Sequence, residues 1–107
     1  MPLRHIVLFG FKAEVEEAGA TEVVRRFAAL RDKVPGIDGF EWGVNCSPEG
    51  LNRGLTHCFT VTFGSSQARD AYLAHPTHVA FAQWARAFVA GESLQVNGAV
   101  WRMRVSR

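Results

Sequence analysis

The sequence predicts an α+β domain with the ferredoxin-like split βαβ arrangement and a four-stranded antiparallel sheet. Two hydrophobic periodicities predict it, because four segments alternate as strands do and three carry apolar residues at helical spacing. The segments follow in the order strand, helix, strand, strand, helix pair, strand. With 107 residues, the chain is expected to form a single domain over residues 1–107.

The first strand and the first helix have separate signals. Along residues 4–11, His5, Val7 and Phe9 share one face, and the opposite face is apolar too, which is typical of a strand covered on both sides. The helix is expected to begin after Thr21 as its N-cap, because apolar residues then recur at spacings of three and four. It should end before Pro35.

The middle of the chain predicts two neighbouring strands, over residues 39–47 and 55–63. Both alternate between apolar and polar positions, and His57 begins an apolar face of the later strand, as His5 does in the first one. The intervening residues 47–54 are rich in glycine, proline and asparagine, so we expect a loop there.

The stretch from Tyr72 to Phe81 holds the only tyrosine and two of the four histidines. Because Pro76 disfavours a helical conformation at His75 and suits the start of a helix, we predict one helix over residues 67–74 and another over residues 76–90. His78 then lies in the first turn of the later helix. The partly positive helix end should keep its imidazole neutral near pH 7.

The last strand is expected over residues 94–105, with a turn or bulge at Asn97–Gly98. The helices would cover only one face of the sheet. The other face also carries large apolar residues, and bare apolar area of that size usually means a partner. A second copy packed sheet against sheet would give a symmetric homodimer.

Composition excludes several classes of function. A net charge of +2 without a basic cluster argues against nucleic-acid binding. No apolar run reaches the ~18 residues that a membrane helix needs, and the first residues do not resemble a signal peptide, so we expect no membrane contact and a cytoplasmic protein. Cys46 and Cys58 have no metal-type spacing and are expected to be reduced.

Five pieces of the chain carry a family likeness, and the most specific is the tyrosine-to-histidine stretch at residues 72–81. The other pieces are His5-Ile6-Val7-Leu8-Phe9, Val34-Pro35-Gly36-Ile37, Trp42-Gly43-Val44-Asn45, and Thr56-His57 with Phe59 and Phe63. Together they resemble the stress-responsive A/B barrel family of the dimeric α+β barrel superfamily.

The resemblance implies a homodimer with an eight-stranded barrel at its centre and a small cavity between each sheet and its helices. One branch, typified by the plant olivetolic acid cyclase, closes linear polyketides by intramolecular aldol condensation without a cofactor. In that branch the working residues correspond to Tyr72 and His78, with His5, His57 and His75 nearby.

The chain departs from the family pattern at two places. The family often has a lysine where Gly10 stands, and it commonly has an aspartate in the last strand, about where Val96 and Asn97 stand. A carboxylate there would orient a histidine and raise its basicity, so its replacement lowers the expectation of strong base catalysis.

The enzyme hypothesis assigns roles to nine side chains, without a metal or a cofactor. Tyr72 would donate a hydrogen bond to a ketone oxygen of a polyketide-like substrate, and His78 would remove an acidic methylene proton. The remaining residues would bind the substrate and exclude water. They are His5, Phe9, Phe27, His57, Phe59, His75 and Phe81.

Two other interpretations use the same residues. The dimer could hold a small apolar ligand without turnover, or act as a stable stress-response assembly whose polar groups satisfy one another. Alternatively, His57, His75 and His78 could bind zinc. The sequence disfavours the zinc site, because neither a carboxylate nor a cysteine stands at ligand spacing beside these histidines.

Overall fold

A computed structural model of the chain describes residues 2–100, apart from the side chain of Glu92. Over this range it contains the predicted elements in the predicted order. They are β1 (Leu3–Phe11), α1 (Glu17–Lys33), β2 (Ile37–Val44), β3 (His57–Phe63), α2 (Ser66–Ala74), α3 (Pro76–Ala85) and β4 (Val89–Ala99). The four strands form one antiparallel sheet in the order β2-β3-β1-β4, which confirms the ferredoxin-like fold class.

The helices cover one face of this sheet, and the core lies between the two layers. His5, Val7 and Phe9 of β1 are buried on that face, as alternation along the strand predicts. The central pairing of β1 with β3 places Val7 opposite Phe59, so both strands direct large side chains toward α1. The buried apolar cluster comprises Val7, Phe9, Val23, Phe27, Leu30, Val34, Phe59, Val61, Phe63 and Tyr72.

The predicted course of the last strand is wrong. β4 begins at Val89 and pairs with β1 without interruption from Leu3 to Phe9, so Asn97–Gly98 lies within the paired strand and forms neither a turn nor a bulge. The irregularity instead falls between Phe9 and Phe11. Pairing with β1 outweighs the local preference of Asn-Gly for a turn. Residues 101–105 of the predicted strand lie outside the described residues.

Two helix boundaries also differ from the prediction. α1 begins at Glu17 after the N-cap Glu16, so Thr21 lies inside the helix; an acidic first turn suits the helix dipole here. α3 ends at Ala85, five residues before the predicted end at residue 90. The chain must reverse before Val89, which already pairs with Phe11 in the sheet.

The corner between α2 and α3 forms as predicted. His75 has an extended backbone conformation, with φ −65° and ψ 132°, and Pro76 occupies the start of α3. The imidazole of His75 accepts a hydrogen bond from the backbone N–H of Thr77 at 3.1 Å and so caps α3. One non-helical residue therefore joins the two helices and fixes their relative direction.

The loop between β2 and β3 packs closely against the end of β1. The backbone N–H of Thr56 donates to the carbonyl of Phe9 at 3.1 Å. A Cβ atom at Gly10 would collide with the backbone carbonyl of Gly54, so only glycine fits there without a shift of the loop. The glycine that departs from the family pattern thus has a local packing reason.

The sheet face opposite the helices is not covered by any element of the described chain. Leu94 and Val96 of β4 project there with exposed fractions of 53% and 60%, beside Ile6 and Leu8 of β1, which they oppose in register. This apolar surface matches the predicted one. Within residues 2–100, none of the helices is long and apolar enough to cross a membrane.

Candidate functional site

A cavity of about 310 Å³ lies between the helical layer and β1, and its exposed lining residues stand at the end of α3 and on β4. It is close to the lower end of the size range of small-molecule sites. Three polar rings, from His5, Tyr72 and His78, form part of its wall. The remaining lining residues are Val7, Phe9, Phe27, Phe81, Ala82, Ala85, Arg86, Val89, Ser93 and Gln95.

Tyr72 lines the cavity with an almost fully buried side chain. Its side chain is 1% exposed, and its ring centroid lies 4.3 Å from that of His78 and 6.1 Å from that of His5. Among the described residues its hydroxyl has no hydrogen-bond partner. Burial raises the pKa of Tyr72, so the phenol keeps its proton and can donate it in a hydrogen bond.

The orientation of His78 is set by the corner between the helices. Its Nδ1 lies 3.1 Å from the carbonyl oxygen of Leu73, which can only accept, so Nδ1 carries the proton. The other ring nitrogen, Nε2, then keeps its lone pair. The pKa of His78 is lowered, as predicted, but burial is the main cause and the helix end is not needed to explain it.

His5 is held by a neighbouring strand. Its side chain is 2% exposed, and its Nδ1 lies 2.8 Å from the side-chain oxygen of Asn97, the residue directly opposite in β4. The same oxygen accepts a hydrogen bond from Arg69 at 3.3 Å. Burial, opposed by the bond to Asn97, lowers the pKa of His5. His5 therefore also presents an unprotonated Nε2 on the cavity side of the sheet.

Three predicted site residues lie away from this cavity. His57 stands opposite Phe9 in the sheet and stacks on Trp42, with ring centroids 6.2 Å apart and nearly parallel planes. His75 uses its ring as a helix cap. Phe59 is fully buried behind Phe9, with ring centroids 5.1 Å apart, and does not line the cavity. The other six predicted residues do line it.

His57 borders a different surface feature, an open concavity of about 840 Å³ formed by the C-terminal part of β2, the loop that follows it and β3. Its Nδ1 lies 2.8 Å from the hydroxyl of Thr56. Burial lowers the pKa of His57, so it is neutral near pH 7 like the two cavity histidines.

The three histidines of the disfavoured zinc interpretation do not form a metal site. His57 lies at the Trp42 end of the sheet, while His75 and His78 use ring nitrogens for bonds to the backbone near the helix corner. In the part of the chain that the structure describes, no group of three or more histidine, cysteine, aspartate or glutamate side chains is placed to hold a metal ion.

Sequence reasoning missed several residues of the site. Asn97 and Arg69 support His5, and Arg86, Ser93 and Gln95 line the cavity beside β4. Asn97 had a signal, since it stands about where the family carries an aspartate. Its partner could be found only from the register of β4 against β1. Arg86 had no signal, because an arginine near a helix end is ordinary.

The fold and the site define a class of protein: a ferredoxin-like α+β domain with a ligand-sized cavity lined by neutral histidines and a tyrosine. The stress responsive A/B barrel domain matches residues 3–96. The chain belongs to this family, as the sequence predicts.

Two relatives support this assignment. The chain is 38% identical over 81 residues to the stress-response A/B barrel domain-containing protein HS1 of Arabidopsis thaliana, over 76% of this chain and 74% of that protein. It is 31% identical over 88 residues to olivetolic acid cyclase of Cannabis sativa, over 82% of this chain and 87% of the cyclase.

Solved structures agree with the fold. The crystal structure of the Arabidopsis thaliana protein At3g17210 superimposes with a TM-score of 0.90 at 30% identity, covering 96% of this chain and 99% of that one. A ferredoxin-like protein of unknown function from Jannaschia sp., which is described as dimeric, superimposes with a TM-score of 0.79 at 26% identity. That match covers 94% of this chain and 100% of the Jannaschia chain.

Proposed function

We propose that this protein is a homodimeric A/B barrel enzyme that catalyses a cofactor-independent intramolecular aldol condensation of a small polyketide-like substrate. The observation that carries the proposal is the pairing of Tyr72 with His78 at 4.3 Å between ring centroids on the wall of one cavity. Its similarity to olivetolic acid cyclase supports the reaction class. The cavity volume of about 310 Å³ favours a short substrate.

The proposed reaction begins with proton removal. Nε2 of His78 takes a proton from a methylene group between two carbonyls, and the hydroxyl of Tyr72 donates a hydrogen bond to the enolate oxygen that forms. Neutral His78 and protonated Tyr72 are the forms that the lowered and raised pKa values of these two groups favour.

Ring closure follows within the same cavity. The enolate carbon attacks a ketone carbon further along the chain, one carbon–carbon bond forms, and the new alkoxide takes the proton back from His78. Loss of water then gives the unsaturated ring. The rings of Phe9, Phe27 and Phe81 supply an apolar wall that holds the substrate chain folded, which lowers the entropic cost of closure.

The homodimer is part of the proposal. The uncovered face bearing Leu94 and Val96 is apolar where the edge strand β4 pairs with the central strand β1. A second sheet packed against it would remove this surface from water. The description of the Jannaschia relative as dimeric agrees with this arrangement.

A ligand carrier without turnover is the second candidate. The bonds that His5 and Arg69 make to the side-chain oxygen of Asn97 favour it, because they fix these side chains within the protein whether or not a reaction takes place. A carrier would bind the same small carbonyl compounds and release them unchanged.

Turnover of synthetic triketide and tetraketide acids separates the two candidates. The His78→Asn substitution keeps an amide N–H near the position of Nδ1 for the bond to Leu73 but removes Nε2, so cyclisation should fall by about 10²–10⁴-fold. Tyr72→Phe should lower it by about 10²-fold or more through loss of the donor. Product formation is measured by liquid chromatography and mass spectrometry.

Gln83→Ala, on the exposed side of α3, is the matched control and should cyclise at the rate of the parent protein. Equal rates for the His78→Asn variant and the parent protein would remove His78 from the mechanism. Binding of the acids without any product would favour the carrier.

A further inference from the structure

The cavity has two chemically different ends. One end carries the three rings of His5, Tyr72 and His78. The other is the opening, the solvent-exposed side beside β4, which Arg86 from the end of α3 and Ser93 and Gln95 from the strand line with exposed side chains. The remaining residues that line the cavity are all apolar. A ligand that fills the cavity therefore meets hydrogen-bonding rings at one end and a guanidinium with neutral polar groups at the other.

The sheet register gives the spacing between these ends. Asn97 lies opposite His5, Gln95 opposite Val7, and Ser93 opposite Phe9. Since residues two apart on a strand are about 7 Å apart, the polar groups of β4 lie about 7 to 14 Å from the level of His5. This span suits one small molecule with functional groups at both of its ends.

We infer that the opening is a carboxylate-binding subsite formed by Arg86 with Gln95 and Ser93. Arginine presents two parallel N–H groups that match a carboxylate, and glutamine and serine add neutral donors. This inference rests on the proposed function, which places the reaction at the end with Tyr72 and His78. The subsite then defines the substrate class as free keto acids, which would bind with the carboxylate at the opening and the reacting carbonyl beside Tyr72.

A purely structural role for Arg86 makes a different prediction. Arg86 is the C-cap of α3, where a cation interacts favourably with the partial negative charge of the helix end. If that were its whole role, its loss would lower the melting temperature without changing which ligands bind. The affinity ratio between an acid and the same molecule without its carboxylate separates the two roles.

The test compares orsellinate with orcinol, which has the same substituted ring without the carboxylate. Dissociation constants are measured by isothermal titration calorimetry on the full chain at low and at high salt. The parent protein should bind orsellinate more tightly than orcinol, and added salt should reduce that preference. Arg86→Gln should weaken orsellinate about five- to tenfold and leave orcinol unchanged, since an exposed pairing contributes modestly. Arg86→Lys should recover part of the loss.

Arg31→Gln removes the same charge from the exposed end of α1 and serves as the control, with no expected change for either compound. Equal loss for orsellinate and orcinol in Arg86→Gln would overturn the subsite, and so would an unchanged ratio. Failure of both compounds to bind the parent protein would instead count against the proposed function. A further outcome is that Tyr72→Phe weakens orcinol binding while Arg86→Gln leaves the affinity for orsellinate unchanged. That result would support ligand binding at the end with Tyr72 and would overturn the carboxylate subsite.

Discussion

The imidazole of His5 is bonded to an amide and not to a carboxylate: its Nδ1 lies 2.8 Å from the side-chain oxygen of Asn97. An amide oxygen fixes the tautomer of the ring as a carboxylate would, but it adds no negative charge. Burial is the main cause of the lowered pKa of His5, and the charge of nearby Arg69 adds to it, while the bond to Asn97 opposes it. The bond to Asn97 therefore orients His5, and burial keeps it neutral.

Asn97→Asp should convert His5 into a stronger base. A carboxylate within hydrogen-bonding distance favours the imidazolium, so the pKa of His5 should rise by about one to three units. NMR titration of the imidazole signals measures this change. Asn97→Leu, which has a similar size and no acceptor, should leave the Nδ1 proton unpaired and cost about 1–3 kcal/mol of unfolding free energy. An unchanged His5 titration in Asn97→Asp would contradict the assigned bond.

The Tyr72 hydroxyl should contribute to ligand binding and little to the free energy of unfolding. Because it has no partner among the described residues, Tyr72→Phe should change the free energy of unfolding by less than about 1 kcal/mol. Tyr72→Ala removes a ring that is 1% exposed and should cost about 3–5 kcal/mol. Urea denaturation of both variants checks the contrast, and a large loss for Tyr72→Phe would mean that the hydroxyl has a structural partner.

Stability should fall as the pH drops below the ordinary histidine pKa of 6.5. His5 and His78 have lowered pKa values in the folded state, chiefly through burial. The unfolded chain therefore binds more protons between about pH 6.5 and the lower folded values, and the free energy of unfolding rises with pH across that window. Urea midpoints measured from pH 7.5 down to pH 5 should decrease. The double variant His5→Asn with His78→Asn should show a flatter profile; the same slope in both proteins would contradict the prediction.

Gly10→Ala should destabilise the chain, because the new Cβ would strike the carbonyl of Gly54 and displace the loop before β3. We expect a cost of about 1–3 kcal/mol, as for other overpacked positions. Gly43→Ala is the control on the same sheet, since a Cβ there meets no atom within 4 Å. Thermal denaturation of both variants should show a large fall in melting temperature only for Gly10→Ala.

The uncovered sheet face should hold two chains together. Val96→Glu places a charge on a residue that is 60% exposed in the single chain and would be buried in the proposed dimer. Sedimentation equilibrium should give a dimer for the parent protein and a monomer for this variant. Glu17→Gln, on α1 away from that face, should remain dimeric. A monomeric parent protein would remove the dimer from the proposal.

The faces of the strands were predictable from the sequence, but distances along them were not. Alternation correctly places His5 and His57 on the helix side of β1 and β3. However, His57 pairs opposite Phe9, four residues from His5, so the two rings lie about 13 Å apart along the strand. Only the register between strands that are distant in sequence fixes this distance. The expected convergence of all the histidines on one cavity failed for His57 for that reason, and for His75 because its ring caps α3.

Local signals succeeded where one residue type dictates the backbone. Pro76 predicted the helix corner, and the corner carries both Tyr72 and His78 to the cavity. The local signals failed at Asn97–Gly98, where pairing with β1 overrides the turn preference of the two residues. The polar positions Ser93 and Gln95 alternate with Leu94 and so form a strand pattern, but nothing local identifies β1 as the neighbour.

The single extended residue between α2 and α3 has a further consequence. Because Tyr72 lies in the last turn of α2 and His78 in the first turn of α3, their separation depends on a few neighbouring backbone angles. The walls that surround them come from β1, α1, the rest of α3 and β4. Substitutions in those walls can therefore change the size and shape of the cavity while Tyr72 and His78 keep their spacing. Ligand preference can thus change without any change in the position of this pair.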